Sequence, residues 1–159
     1  CRHNLVYWRN GEWLGLGAGA HSHWGRNKEQ GTGNTSYRFA NVYSPKQYVR
    51  RVQETASRGV AADGDTATLL KSMRQVAFVE EQPPALAMAD TLILGLRLNE
   101  GVAVEEFRLR FGADIDEVYG PALAELSGLG LIERPDGRLR LTERARLLAN
   151  EVFVRLLPD

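Results

Sequence analysis

Two histidine-containing stretches near the start of the chain have residue types that could bind a ligand. The first has the sequence HNLVYW and runs from His3 to Trp8. Imidazole is a common axial ligand of haem iron, and aromatic side chains suit a flat macrocycle. His3 is therefore a candidate ligand of haem iron, with Asn4, Tyr7 and Trp8 as candidate neighbours. The alternative is that His3 is an ordinary hydrogen-bonded residue at a strand end.

The second stretch has the sequence GLGAGAHS and runs from Gly15 to Ser22. Such small residues let another main chain or a flat ligand approach closely. The run could equally pack a strand tightly against a helix, and it is not a dinucleotide-binding motif, because no capped helix follows it. His21 and His23 would share one face of a strand, but no third metal ligand is evident, so we do not predict a metal pair.

The surrounding residues predict a β-hairpin at the start of the chain. Leu5–Trp8 is rich in β-branched and aromatic residues, Asn10-Gly11 is a strong tight-turn signal, and Trp13–Leu16 would be the returning strand. On a strand, alternate residues face opposite sides, so the histidine motif would be divided between two faces. Asn4 would then orient the His3 ring or bond to nearby backbone.

Composition indicates a folded, soluble protein. The 159 residues are 43% hydrophobic and 25% charged, with 20 basic and 20 acidic side chains. Zero net charge argues against nucleic-acid binding. No apolar run is long enough to span a membrane, and no signal peptide is visible. The single cysteine cannot form an internal disulfide or hold an iron–sulfur cluster alone. A cytoplasmic location is the simplest interpretation.

The middle of the chain predicts a long loop from Ser22 to Tyr43, with one short strand around Tyr37–Asn41. Ser44-Pro45 then begins a helix that ends at Gly59. Residues 60–68 resemble a turn, and we place the domain boundary there, between 62 and 63.

The second half predicts helices over 84–98, 104–111 and 114–126, a hairpin with an Asp136-Gly137 turn, and a last helix. Residues 69–79 are ambiguous between a helix and a helix that ends in a strand. Three helices followed by a hairpin are typical of a winged-helix module. Its recognition-helix position carries Asp116, Glu117 and Glu125 and no basic residue, which disfavours DNA and favours a lid or a docking surface.

Taken in order, these motifs resemble the HemW-type haem chaperones, a radical-SAM family related to oxygen-independent coproporphyrinogen III oxidases. The resemblance rests on HNxxYW, on the GxGAGAHS run, and on three later stretches. These are LGLRL from Leu94, GLI from Gly130 and LRLT from Leu139.

The resemblance implies an α+β fold with two domains. Residues 1–62 would be the end of a radical-SAM barrel region, with strands, a long loop and one helix, and the sheet would be a remnant of that partial barrel. Residues 63–159 would be the winged-helix-like C-terminal domain. The chain would then be the C-terminal part of a longer protein.

The resemblance also implies cofactors. His3 would bind haem iron, and the wall beside S-adenosylmethionine would be formed by Gly17, Gly19, Ala20 and His21. The full-length parent would hold that cofactor and a [4Fe–4S] cluster in a Cys-x-x-x-Cys-x-x-Cys loop. This sequence has no such loop, so it should be inactive alone and contains no catalytic residue of its own.

The implied function is binding haem or a porphyrin and passing haem to an acceptor protein. The HNxxYW motif favours this over the alternative, a coproporphyrinogen III oxidase. A winged-helix module that binds nucleic acid or docks a protein is a further alternative, and we expect no nucleic-acid partner. The parent could associate peripherally with a membrane, and the chain could form a homodimer.

Overall fold

The computed structural model describes residues 1–25, 35–60 and 65–158. Within them, helices and two small antiparallel sheets form an α+β fold, which confirms the expected fold class. The predicted domain boundary between residues 62 and 63 lies outside the described residues, and so does the middle of the predicted long loop. That boundary stays a prediction.

The chain divides into two compact units. The helical unit contains residues 1–11 and 84–158. The sheet unit contains residues 12–83, apart from the two undescribed segments.

The sheet unit is built on a three-stranded antiparallel sheet whose strands lie side by side in chain order. Its core contains Tyr37, Phe39 and Leu70. The ambiguous stretch 69–79 contains the end of one helix and the start of one strand. The elements are β1 (His21–Gly25), β2 (Ser36–Asn41), α2 (Pro45–Arg58), α3 (Thr66–Ser72) and β3 (Val76–Gln82).

The predicted capping of α2 is confirmed. The Ser44 hydroxyl accepts a hydrogen bond from the backbone N–H of Gln47, Pro45 occupies the first helical turn, and Gly59 follows the last residue with φ 75°. Local chemistry alone therefore defines both ends of this helix.

The helical unit has the element order of a winged-helix module, as predicted. A short strand precedes two helices and pairs with the second strand of the later hairpin, which therefore lies in the middle of a three-stranded sheet. Asp136 and Gly137 both have positive φ at the hairpin turn, as the Asp-Gly signal predicts. The elements are α1 (Arg2–Trp8), α4 (Pro84–Gly95), β4 (Val102–Ala103), α5 (Val104–Phe111), α6 (Ile115–Gly128), β5 (Ile132–Glu133), β6 (Arg138–Leu141) and α7 (Ala149–Val154).

One apolar core holds this unit together. Leu92 of α4, Phe107 of α5, Leu126 of α6 and Leu139 of β6 are almost completely buried within it. The last predicted helix is divided: a 3₁₀ helix covers Arg144–Leu148 before α7 begins.

The predicted N-terminal hairpin is wrong, because its first strand is the helix α1. Asn10 adopts a left-handed conformation, with φ 48°. The N–H of Asn10 donates to the carbonyl of Tyr7, and the N–H of Gly11 donates to that of Val6. This is a Schellman motif, which ends a helix. Asn-Gly thus supplies a helix terminus here instead of a hairpin turn. The predicted returning strand is also absent from the described structure, where Trp13 makes only an isolated bridge to His23.

Candidate functional site

The helical conformation of α1 brings the four residues of the histidine motif onto one side. His3, Asn4, Tyr7 and Trp8 occupy positions i, i+1, i+4 and i+5, which span an arc of about 140° at 3.6 residues per turn. His3, Asn4 and Trp8 are exposed, and Tyr7 is half-buried. The expectation that a strand would divide these residues is therefore wrong.

His3 and Tyr7 interact directly within this arc. The Tyr7 hydroxyl lies 3.1 Å from Nε2 of His3, and the two rings meet edge to face with centroids 5.2 Å apart. This i, i+4 spacing places side chains one above the other on a helix. The imidazole is thus exposed to solvent and oriented by a neighbouring phenol.

The C-terminal end of α1 is attached to the rest of the helical unit through Asn10, which is fully buried. Its side-chain N–H donates to the Thr91 hydroxyl of α4 at 3.1 Å. Arg110 of α5 donates to the backbone carbonyls of Arg9 and Asn10, at 3.2 and 2.6 Å. These bonds fix the helix that carries the histidine motif.

The glycine run in the sheet unit forms a tight loop against β1 and β2. A Cβ on Gly15 would lie 2.0 Å from the carbonyl oxygen of His21, so only glycine fits there. The Asn41 side chain donates to the carbonyls of Gly15 and Gly17 at 3.3 and 2.9 Å. At Gly15 the packing is therefore tight, as in the alternative interpretation, but it is against a strand and not against a helix.

The residues predicted to line S-adenosylmethionine have different surroundings. Gly17 has φ 108° and open space where a side chain would stand. Gly19 packs against the ring of Tyr43, and Ala20 directly precedes β1. His21 is exposed at the start of β1. Their role as a cofactor wall stays a prediction.

Among the described residues, no further metal ligand joins the two histidines of β1. His23 is buried, and its ring contacts Trp13 with centroids 5.0 Å apart. In the described residues, no three His, Cys, Asp or Glu side chains lie close enough together to hold a metal ion.

Three arginines of the helical unit have structural contacts. Arg97 stacks over Phe153 with its guanidinium carbon 4.7 Å from the ring centroid. Arg108 makes a two-pronged contact with Glu105 at 2.7 and 2.9 Å. Arg110 holds the end of α1, as described above.

The three acidic side chains predicted for α6 are exposed. Asp114 caps the helix by accepting from the N–H of Asp116. Arg134 of the hairpin bonds to the Asp116 carboxylate, and this hydrogen bond lowers the pKa of Asp116 below its ordinary value. Burial raises the pKa of Tyr119 to about 12.

The helical unit contains a charged cleft that the sequence does not indicate, and Arg9 and Arg138 contribute to it. Arg9 forms an ion pair with Glu100 at 2.8 Å. The sequence gives no signal for this pair, because Glu100 lies 91 positions from Arg9. Arg138 directly follows the hairpin turn, and that position alone does not indicate a binding residue.

Comparison with known proteins gives one family-model match, the HemN C-terminal domain, over residues 83–148. The chain is 32% identical over 158 residues to the heme chaperone HemW of Bacillus subtilis, covering 99% of this chain and 35% of that protein. The resemblance to HemW-type proteins is confirmed. The chain spans about a third of the length of the curated relatives it matches.

Other HemW-type relatives and one solved structure agree with this result. The heme chaperone HemW of Mycobacterium tuberculosis is 31% identical over 157 residues, covering 99% of this chain and 31% of the relative. The structure of coproporphyrinogen III oxidase (HemN) from Escherichia coli, a radical SAM enzyme, matches with a TM-score of 0.54 and 16% identity. That match covers 92% of this chain and 28% of the enzyme, and at this identity it shows a shared fold.

No helix in the described part of the chain could span a membrane.

Proposed function

We propose that this HemW-like chain takes part in binding haem and in passing it to an acceptor protein, with His3 as an axial ligand of the iron. The observation that carries the proposal is the arrangement on α1. An exposed imidazole lies on the same arc as a phenol, an amide and an indole. The similarity to proteins named heme chaperones supports the same ligand.

The donor set of α1 suits haem. Neutral imidazole is a common axial ligand, and haem supplies an iron with an axial position that accepts such a nitrogen. Trp8 is exposed on the same side of the helix and offers an aromatic surface for the macrocycle. Asn4 adds an exposed amide that can donate or accept hydrogen bonds.

Haem binding through Nε2 requires His3 to exchange one partner for another. In the structure Nε2 lies at hydrogen-bond distance from the Tyr7 hydroxyl, so this contact breaks if Nε2 takes the iron. The cost is small, about 1 kcal/mol for an ordinary neutral hydrogen bond. The pair can therefore hold the ring in place without preventing ligation.

The other proposed cofactors belong to a longer protein. A [4Fe–4S] cluster needs several cysteine ligands, and this sequence contains only Cys1. The chain's own residues therefore do not fit the cluster. For S-adenosylmethionine, we propose that Gly17, Gly19, Ala20 and His21 form one wall of its site in such a protein. The open space at Gly17 supports this.

The experiment is a titration of the chain with haemin, followed by the Soret absorption. We expect a shifted, saturable Soret band that is lost in His3→Ala. His21→Ala is the matched control, because His21 is also an exposed histidine, on β1 of the sheet unit. Cys1→Ser excludes the exposed thiol as the ligand. Retention of the shifted band in His3→Ala, or its absence in the wild type, would overturn the proposal.

A further inference from the structure

The helical unit contains a cleft whose walls are rich in charge. Its volume is about 100 Å³. That volume can hold a few water molecules or one small polar group, but not a whole macrocycle. The polar side chains that line it are Arg9, Thr91, Glu100, Glu106, Arg110 and Arg138.

Two of the three arginines are held in place by main-chain carbonyls. Arg138 donates from Nε to the carbonyl of Glu100 at 2.7 Å and from Nη2 to that of Gly101 at 3.1 Å. Arg110 donates to the carbonyls of Arg9 and Asn10. A carbonyl oxygen fixes a guanidinium without cancelling its charge, so the Arg138 cation is preorganised in the cleft.

The cleft carries a small excess of positive charge. Three arginines face two glutamates, Glu100 and Glu106, which leaves a formal charge of one positive unit. Arg9 and Glu100 form an ion pair at 2.8 Å. This balance suits one monoanion better than a dianion.

The backbone around the cleft is tightly packed at two glycines. Gly101 has φ 66°, and a Cβ there would lie 2.1 Å from the carbonyl oxygen of Leu139. A Cβ on Gly95 would lie 2.4 Å from a methyl carbon of Val102. Such close packing gives these walls little freedom to collapse into the cleft.

We propose that this cleft binds a carboxylate group, with the guanidinium of Arg138 as its main donor. Arg138 uses two of its five N–H groups on carbonyls, and the planar guanidinium fork matches the two oxygens of a carboxylate. One source of such a group is a haem propionate, and this part of the inference rests on the proposed function. A free small carboxylate is the other source.

The position of α1 relates the cleft to the histidine motif. His3 lies near the start of α1, and Arg9 follows its last residue, so about 9 Å of helix rise separates them. In haem, too, the two groups lie apart, because the iron is at the ring centre and the propionates are at the ring edge. Both features belong to the helical unit.

The first test uses sodium propionate as the probe and needs no haem. Backbone amide shifts of the ¹⁵N-labelled chain are followed during the titration. We expect saturable shifts at Gly101 and Val102, and roughly tenfold weaker binding in Arg138→Gln, which loses a charge-assisted bond. Arg140→Gln is the matched control, because Arg140 lies on the same strand but bonds to Glu133 outside the cleft.

Further variants guard against a folding artefact. Arg138→Lys keeps the charge but loses the fork, and we expect it to bind propionate more weakly than the wild type. Arg9→Gln removes a cation whose side chain is 58% exposed, so we expect the fold to be retained and binding to weaken. The inference is overturned if propionate produces no saturable shifts at the cleft. It is also overturned if Arg138→Gln and Arg140→Gln bind propionate with equal affinity.

The second test compares haemin with haemin dimethyl ester, which lacks both carboxylates. If a propionate occupies the cleft, the ester binds roughly tenfold more weakly, and Arg138→Gln removes the difference. Equal binding of both porphyrins, with propionate still shifting the cleft, assigns a free carboxylate as the ligand. Propionate binding without haemin binding leaves the cleft standing and defeats the proposed function. Haemin binding without propionate binding supports the proposed function and overturns the carboxylate site in the cleft.

Discussion

The hydroxyl of Tyr7 lies 3.1 Å from Nε2 of His3, one helical turn earlier in α1. This contact explains the spacing of the HNxxYW motif. The i, i+4 relation brings the imidazole and the phenol together, and the adjacent Asn4 and Trp8 extend the same side of the helix.

The His3–Tyr7 contact predicts the effect of removing the Tyr7 hydroxyl. Tyr7→Phe keeps the ring but frees Nε2, so we expect haemin to bind several-fold more tightly, up to about tenfold. Absorption titration measures the affinity. Tyr48→Phe, at a half-exposed tyrosine of α2, is the control and should change nothing. Weaker binding in Tyr7→Phe would contradict the competition between the phenol and the iron.

Asn10 should be necessary for the stability of α1. Asn10→Ala loses a buried hydrogen bond to Thr91 and places a residue that disfavours a left-handed conformation at φ 48°. We expect a loss of about 1–3 kcal/mol in the free energy of unfolding. Asn10→Gly loses the same bond but accepts the backbone conformation, so its loss should be smaller. Chemical denaturation measures both, and equal losses would show that backbone conformation is unimportant here.

Gly15 should tolerate no side chain. In Gly15→Ala the new Cβ meets the His21 carbonyl, and such overpacking against backbone should destabilise the sheet unit by at least about 1–3 kcal/mol. Gly128→Ala is the control, because a Cβ there meets nothing within 4 Å at the end of α6. That change should be neutral or slightly stabilising. Similar melting temperatures for Gly15→Ala and the wild type would show that the close approach is absent.

The Asp116–Arg134 pair predicts a small loss of stability in acid. The hydrogen bond from Arg134 lowers the pKa of Asp116 from its ordinary value of 3.8. A depressed carboxyl pKa stabilises the folded state above the unfolded-state value, and this stabilisation is lost as the pH falls through the folded-state value. Because the Asp116 side chain is 55% exposed, the effect should be below about 1 kcal/mol.

Unfolding of the wild type and of Asp116→Asn at several pH values measures this effect. The stability difference between the two proteins should shrink as the pH falls below 3.8. A difference that stays constant with pH would contradict the assignment of the shift to this pair.

Elements with strong local chemistry could be predicted from the sequence. Ser44-Pro45 and Gly59 define α2, Asp114 begins α6, and Asp136-Gly137 forms the hairpin turn. In each case the deciding interaction lies within a few residues, so sequence neighbours contain the information.

The N-terminal element could not be predicted in this way. Val6, Tyr7 and Trp8 favour strands, and Asn10-Gly11 favours a hairpin, yet α1 forms because Asn10 is buried against Thr91 and held by Arg110. Those partners lie 81 and 100 positions away. The sequence therefore indicated the residues of the candidate haem site, but not that they share one face of a helix. It did not indicate the cleft around Arg138.

The most direct test of the account is pulsed electron paramagnetic resonance of the haemin-loaded chain with ¹⁵N-labelled histidine. The account predicts a ¹⁵N coupling from an iron-bound imidazole that persists in His21→Ala and disappears in His3→Ala. A coupling that persists in His3→Ala, or iron without any imidazole ligand in the wild type, would contradict it.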